Sequence, residues 1–399
     1  TLLLTVLSCS NDKTQRNDNH SRHVIDMDKI EKTDTLRMSR LFKNAVPIVL
    51  ETAQNSLIGE MIDKLYAMDS ILIIADFSEA KSVFIFNRGG KFLHKIGQRG
   101  HGPGEYVSVS DFCVDTVGKI IYILDRDTDR IHKYEIYSGK HIKSIKLSRK
   151  LSDGHSTYSY IDYKNNALYV SVSGHNFTNN EENFLLHKID SDSGETVESW
   201  LDAREYNKGK INIKQPFMHT NQKDVQYNTM FMNAIMSVSE NEVTPFLTFI
   251  GKEMISEEDI KDININTGEY YTVEQRIWAL KKIWHFFDYF ESSDFIHTRL
   301  YRGGAIESVV YYPQTKQAKC FRGFFDDVIY VPSHNHSFYN MFLSADRKGI
   351  YTSINLWGIN TFIKDRDNDK LSPSMMSNPK IYEINEDSNP LVFYYEFKD

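Results

Sequence analysis

Cysteine is scarce: the chain has three in 399 residues. Setting Cys9 aside, Cys113 and Cys320 stand far apart, without the paired spacing of a zinc site. A disulfide-dense scaffold is therefore excluded, while one bridge in an oxidising compartment and two buried thiols both stay open. Long apolar runs are missing too, and nothing approaches the roughly 18 residues a membrane-spanning helix needs. Positive charge is not in excess, with 47 Lys and Arg against 54 Asp and Glu. Without clustered Lys and Arg there is no surface to neutralise phosphates, so nucleic acid is excluded as a partner.

Catalytic signatures are also lacking. No H-E-x-x-H pair, no G-x-S-x-G elbow and no carboxylate at a ligand offset from a histidine occurs. Gly100, Gly102 and Gly104 suggest a phosphate loop, but Glu105 and Tyr106 occupy the places where Lys and Ser or Thr are needed. A tight connection between blades is expected instead, with Gly supplying positive φ and Pro103 stiffening the turn. Asp125, Asp127 and Asp129 open like a calcium loop, as do Asp365, Asp367 and Asp369. The sixth and twelfth places hold Arg130 and Ile136, and Lys370 and Met376, where Gly and Glu are required. Both triplets read as polar turns. No catalytic residue, metal or cofactor is assigned.

What is present begins at the N-terminus. TLLLTVLS (1–8) is a short apolar run ending on a small residue before Cys9, and a polar stretch follows. This reads as a signal-peptide remnant with a lipobox, Val6-Leu7-Ser8-Cys9, and makes Cys9 the expected lipid attachment site; a plain secretory signal is the alternative. The expected divisions are residues 1–8 as signal remnant, 9–40 as a lipidated polar tether and lead-in, and 41–399 as the folded body. Membrane contact is expected only through that lipid, at the cell envelope, on an outer membrane facing periplasm or cell surface.

The body repeats itself. Asp76, Gly90, Lys91 and Ile96 recur as Asp125, Gly139, Lys140 and Ile145, at a constant offset of 49. Each copy is a β-run ending in Asp, a polar turn, a second strand, a Gly-Lys turn and a third strand. A weaker copy follows at ALYVSV (167–172) and FLLHKID (184–190). Short strands at this spacing, rich in the 23 Tyr and 24 Phe, predict an all-β propeller with about four strands per blade. VPIVLE (46–51) and PLVFYYEF (390–397) are expected to close the ring in one sheet. After residue 210 the repeat fades, although strand material continues.

One segment departs from the pattern. Over about 252–293 the spacing turns helical, with Thr272 and Gln275 as a capping box. Val273, Ile277, Leu280, Trp284 and Phe287 would share a face packed on the ring, while Trp278 and Lys281 face outward as candidate partner contacts.

IGQRGHGPGEY (96–106), DFCVD (111–115), IIYILD (120–125) and RIHKYEIYSGK (130–140) resemble the NHL-type blade. With VPIVLETAQNSLIGEMIDKLY (46–66) and NPLVFYYEFK (389–398), the chain resembles the six-bladed β-propeller lipoproteins of Gram-negative gut bacteria. The resemblance implies six blades rather than seven and an N-terminal lipid tether. It carries over no catalytic residue, since most members have no assigned activity. Two functional readings follow. The first is a binding or scaffolding module for a protein or glycan ligand; the second is an envelope lyase or hydrolase acting at the central channel. The first is preferred, because no motif demands chemistry. They are separated by whether the first strands of the blades converge as titratable groups or as apolar filler.

Overall fold

The computed structural model describes residues 22–147, 157–173, 184–202, 215–218, 224–239, 242–262, 270–334 and 341–398. Among these, the strands form six sheets arranged as a six-bladed β-propeller. Blade I runs Lys64–Ala67, Ile71–Asp76, Ser82–Asn87 and Phe92–Ile96, and blade II runs Asp111–Asp115, Ile120–Asp125, Arg130–Glu135 and His141–Lys146. Blade III starts at Thr157–Lys164, blade IV at Phe217–Met218, blade V at Ile283–Glu291 and blade VI at Met341–Ala345. In each blade successive strands pair antiparallel.

The repeated Asp has a physical cause. Asp76 and Asp125 each end the second strand of a blade and are buried. Asp76 accepts the N–H of Gly59 at 2.7 Å, and those of Ser78, Glu79 and Ala80. Asp125 likewise accepts from Val107 at 2.8 Å, from Ser108 and from Asp127. One carboxylate thus closes the polar turn and clamps the incoming inter-blade loop, satisfying N–H groups that would otherwise be buried unpaired. Between the blades lie apolar clusters such as Ile73, Ile85, Phe112, Ile123 and Tyr134. Each such side chain contributes about 1.5–3 kcal/mol by leaving water.

The ring closes through both chain ends. Phe42–Ile48 pairs antiparallel with Leu391–Phe397, joining Val46 to Tyr394 and Ile48 to Val392. Of the polar tether and lead-in expected over residues 9–40, the described part, from residue 22, adds strands to blade edges. His23–Asp26 lies parallel on the outer strand of blade IV, and Glu31–Arg37 lies parallel on that of blade V. Residues 22–48 therefore form a strap over three successive blades. The outer edges of blades I, II and III carry no strap strand among the described residues. On each, a register shift leaves Leu93, Ile142 or Val197 as an extra residue, exposed on the rim. Bulges and edge lysines of this kind blunt sheet-to-sheet association.

The insertion is shorter than expected. Helices span Glu257–Asp262 and Tyr270–Leu280, but Ile283–Glu291 is the first strand of blade V. Trp284 and Phe287 therefore do not continue the helical face of Ile277 and Leu280, and Thr272 lies inside the helix rather than at its cap. The strand wins because β-branched and aromatic residues in IWHFFDYFE suit a pleated surface buried on both faces. A second helical excursion, unforeseen in the sequence, separates the second and third strands of blade VI. Leu356–Asp367 begins at Asn355, whose side chain accepts the N–H of Gly358. Asp365 and Asp367 accordingly sit in a helix, not in the polar turn expected for that triplet.

Candidate functional site

The first strands of the six blades adjoin around the ring axis, so their side chains line the central channel. On blades I, II and III these strands read K-L-Y-A, D-F-C-V-D and T-Y-S-Y-I-D-Y-K. Residues two apart share a face, which groups Lys64 with Tyr66, Asp111 with Cys113, and Tyr160 with Asp162 and Lys164. Pairing to the second strands sets their levels. Tyr66 opposes Ile73, Cys113 opposes Tyr122 and Asp162 opposes Tyr169, positions that repeat from blade to blade. Lys164 opposes Ala167 and Glu291 opposes Ile296, both at the end nearest the first hairpin.

The upper level is closed. Lys64 Nζ donates to Asp111 Oδ1 and to the Phe112 carbonyl, each at 2.7 Å. Asp111 also accepts the N–H groups of Phe112 at 2.8 Å and Ile161 at 2.9 Å. Three blades are tied together here, and both side chains are nearly excluded from solvent. Burial raises the Asp111 pKa, and Lys64 with the two N–H groups opposes that rise.

The next level is different. Among the described residues, Asp162 takes one hydrogen bond, from the Tyr163 N–H at 2.9 Å. Burial raises its carboxyl above the usual range, with Lys164 and Lys64 opposing. The Lys164 pKa is lowered by burial, against the pull of Asp162, Glu291 and Asp224. Tyr66 at this level and Tyr160 at the upper one, where it opposes Ser171, are both half-buried and pushed up to about 12, burial being the main cause. Glu291, on blade V, accepts the Tyr289 hydroxyl at 2.9 Å. The first strands of blades I, III and V thus carry titratable groups, whereas that of blade IV is Phe217–Met218.

A Ser-His-Asp arrangement exists elsewhere. Ser144 Oγ lies 2.9 Å from His132 Nδ1, and His132 Nε2 lies 3.5 Å from Asp125. It lies within blade II, where Ser144 directly opposes His132. Blade III repeats the pair as His187 and Ser199 at 2.8 Å. Repetition at the same strand pairing marks an element of blade packing rather than a nucleophile.

The expected site residues fall as follows. Cys9 lies outside the described residues. Trp278 is 45% exposed on the last turn of Tyr270–Leu280, and Lys281 follows, exposed and with a positive φ of 53°. The Gly100–Gly104 loop joins blades I and II as expected. Gly104 has φ +78°, Glu105 accepts the Gly102 N–H at 2.8 Å, and the Tyr134 hydroxyl donates to the Gly104 carbonyl at 3.0 Å. The sequence reading missed Lys64, Asp111, Asp162, Lys164 and Glu291. For Asp111, Asp162 and Lys164 a signal was present: polar residues at every second place in DFCVD and YIDYK.

A family model described as a domain of unknown function, DUF4934, matches residues 22–396. The chain belongs to this family. Among solved structures, this DUF4934 chain is similar to a Bacteroides fragilis protein whose name marks it as a candidate for export. Their identity is 17%, the match covers 94% of this chain and 100% of that one, and the TM-score is 0.73. A DUF4221 family member from Bacteroides vulgatus matches at 13% identity, over 89% of this chain and 98% of that one, with a TM-score of 0.48. At these identities the first likeness speaks for the fold alone. No curated protein matches.

Proposed function

We infer that this chain is an exported binding module, tethered to the cell envelope through Cys9, whose ligand site is the polar central channel. The observation that carries this reading is the contrast between Asp111, closed by Lys64 and two N–H groups, and Asp162, which has one backbone donor. A half-buried carboxylate with one donor from the protein is open to a further donor from a ligand. The apolar run before Cys9 supports export, as does the name of the Bacteroides fragilis neighbour. Trp278 and Lys281 are proposed as a separate contact edge for a protein partner.

One observation favours catalysis at the same place. Burial raises Asp162 and lowers Lys164, the directions an acid–base pair needs. Thermal melting with fractions of envelope small molecules separates the readings. A fraction that raises the melting temperature of the wild type, is not consumed, and has no effect on Asp162→Asn supports binding. Consumption of the compound moves the assignment to an enzyme, and an equal rise in both proteins removes the channel as the site. For the tether, a fatty-acid analogue is expected to label the wild type in cells and not Cys9→Ser; equal labelling contradicts it.

A further inference from the structure

We propose that a cavity at the closing seam of the ring, apart from the channel, binds a sugar residue that carries no carboxylate or phosphate. The cavity holds about 530 Å³, within the roughly 300–1,000 Å³ of small-molecule sites. Its walls come from three segments. Residues 49–52 follow the N-terminal closing strand, residues 383–388 precede the C-terminal one, and residues 89–91 form the last hairpin of blade I.

These walls are fixed by bonds of their own. Glu51 donates its N–H to the Gly90 carbonyl at 2.8 Å, and its Oε2 accepts the Phe92 N–H at 3.1 Å. Gly90 has φ +91°, and a Cβ there would lie 1.9 Å from the Val49 carbonyl oxygen. The Asn389 amide donates to the Glu51 and Ser56 carbonyls at 3.0 Å, which ties the two chain ends together.

The groups that the walls leave unused select the ligand. Ser388 lines the cavity and is only 7% exposed. Its oxygen accepts the Asn385 N–H at 3.1 Å, while its own proton meets no acceptor among the described residues. A buried hydroxyl proton left unpaired costs free energy until an acceptor reaches it. The Asn385 side-chain NH2 and the Lys91 ammonium are further donors without a partner among the described residues. Glu51 Oε1, Glu383 and Asp387 are acceptors in the same condition. Donors and acceptors thus share one cavity, and sugar hydroxyls each give and take a hydrogen bond.

Other ligands fit less well. A phosphate or carboxylate would meet three carboxylates against one ammonium. An amine has no acceptor to offer the Ser388 proton or the Asn385 amide. Among the described residues, no three His, Cys, Asp or Glu side chains converge closely enough to hold a metal ion.

Saturation-transfer NMR on the whole chain tests this, with methyl glycosides of glucose, galactose, N-acetylglucosamine and glucuronic acid as probes. Saturable transfer to at least one of the first three is expected, and none to the glucuronide. Ser388→Ala is expected to bind that sugar about threefold or more weakly, and Asp387→Ala about tenfold. Should Ser388→Ala fail to fold, Asp387→Ala decides, because its exposed side chain makes no bond within the fold. Asp162→Asn, in the channel, is expected to keep full affinity. No transfer to any probe, full affinity in the folded seam variants, or equal binding of the glucuronide overturns the proposal. Loss of binding in Asp162→Asn with full affinity in the seam variants also overturns it, and leaves the channel as the site.

Discussion

The Trp284 indole N–H donates to the Gly303 carbonyl at 2.8 Å and its ring stacks on Tyr301 at 4.9 Å. Only 9% of Trp284 is exposed, against 45% of Trp278 one helix end away. Trp284→Ala should therefore cost about 3–5 kcal/mol in denaturant unfolding, while Trp278→Ala should stay within about 0.5 kcal/mol. Equal costs would make the insertion wholly structural and remove Trp278 as a contact. Two other blade V side chains set a pH dependence. Burial lowers His285 to about 4 and His297 to about 3, so the folded chain holds both neutral. The unfolded chain takes up those protons near 6.5. Their contribution is thus complete above that pH and is lost as pH falls toward the folded values, by up to about 1.4 kcal/mol per unit for each histidine. His285→Phe keeps the stack and removes one titration. Between pH 7 and 5 it should lose about 2 kcal/mol less stability than the wild type; an identical loss would show that His285 does not titrate on unfolding.

Among the elements, the strap and the closing strand do most to keep the ring shut. Removing residues 390–399 leaves Phe42–Ile48 and Gly349–Ile354 with unpaired edges. The shortened protein should unfold or aggregate, and a soluble product with an unchanged melting temperature would contradict closure by this strand. This closure was legible in the sequence, because both segments carry the β-branched and aromatic residues of a buried strand. The boundary of the insertion was not. IWHFFDYFE is apolar at helical and strand periods alike, and only its tertiary setting in blade V decides between them. At blade IV strands were legible but the repeat was not, for another reason. Its first two strands, Phe217–Met218 and Val225–Tyr227, hold two and three residues, too few for any alternation to register. The strap was hidden because the charged EKTDTLR pairs through its backbone at an edge and needs no apolar face.

At the scale of the whole molecule, the ring explains why polar first strands persist in so apolar a fold. Apolar residues of these strands, such as Phe112 and Ile161, lie between blades. The sequence showed the alternation of polar and apolar residues in DFCVD and YIDYK. It could not show that Lys64, Asp111 and Ile161, far apart in the chain, would meet and leave Asp162 aside. That asymmetry is the central claim, and carboxyl labelling tests it most directly. Native protein is treated with a water-soluble carbodiimide and an amine nucleophile, then mapped by mass spectrometry. Asp162, half-buried with a raised pKa and one donor, should be modified while Asp111, buried and bound by Lys64, stays unmodified. Modification of Asp111 with Asp162 protected, or equal modification of both, would contradict the account.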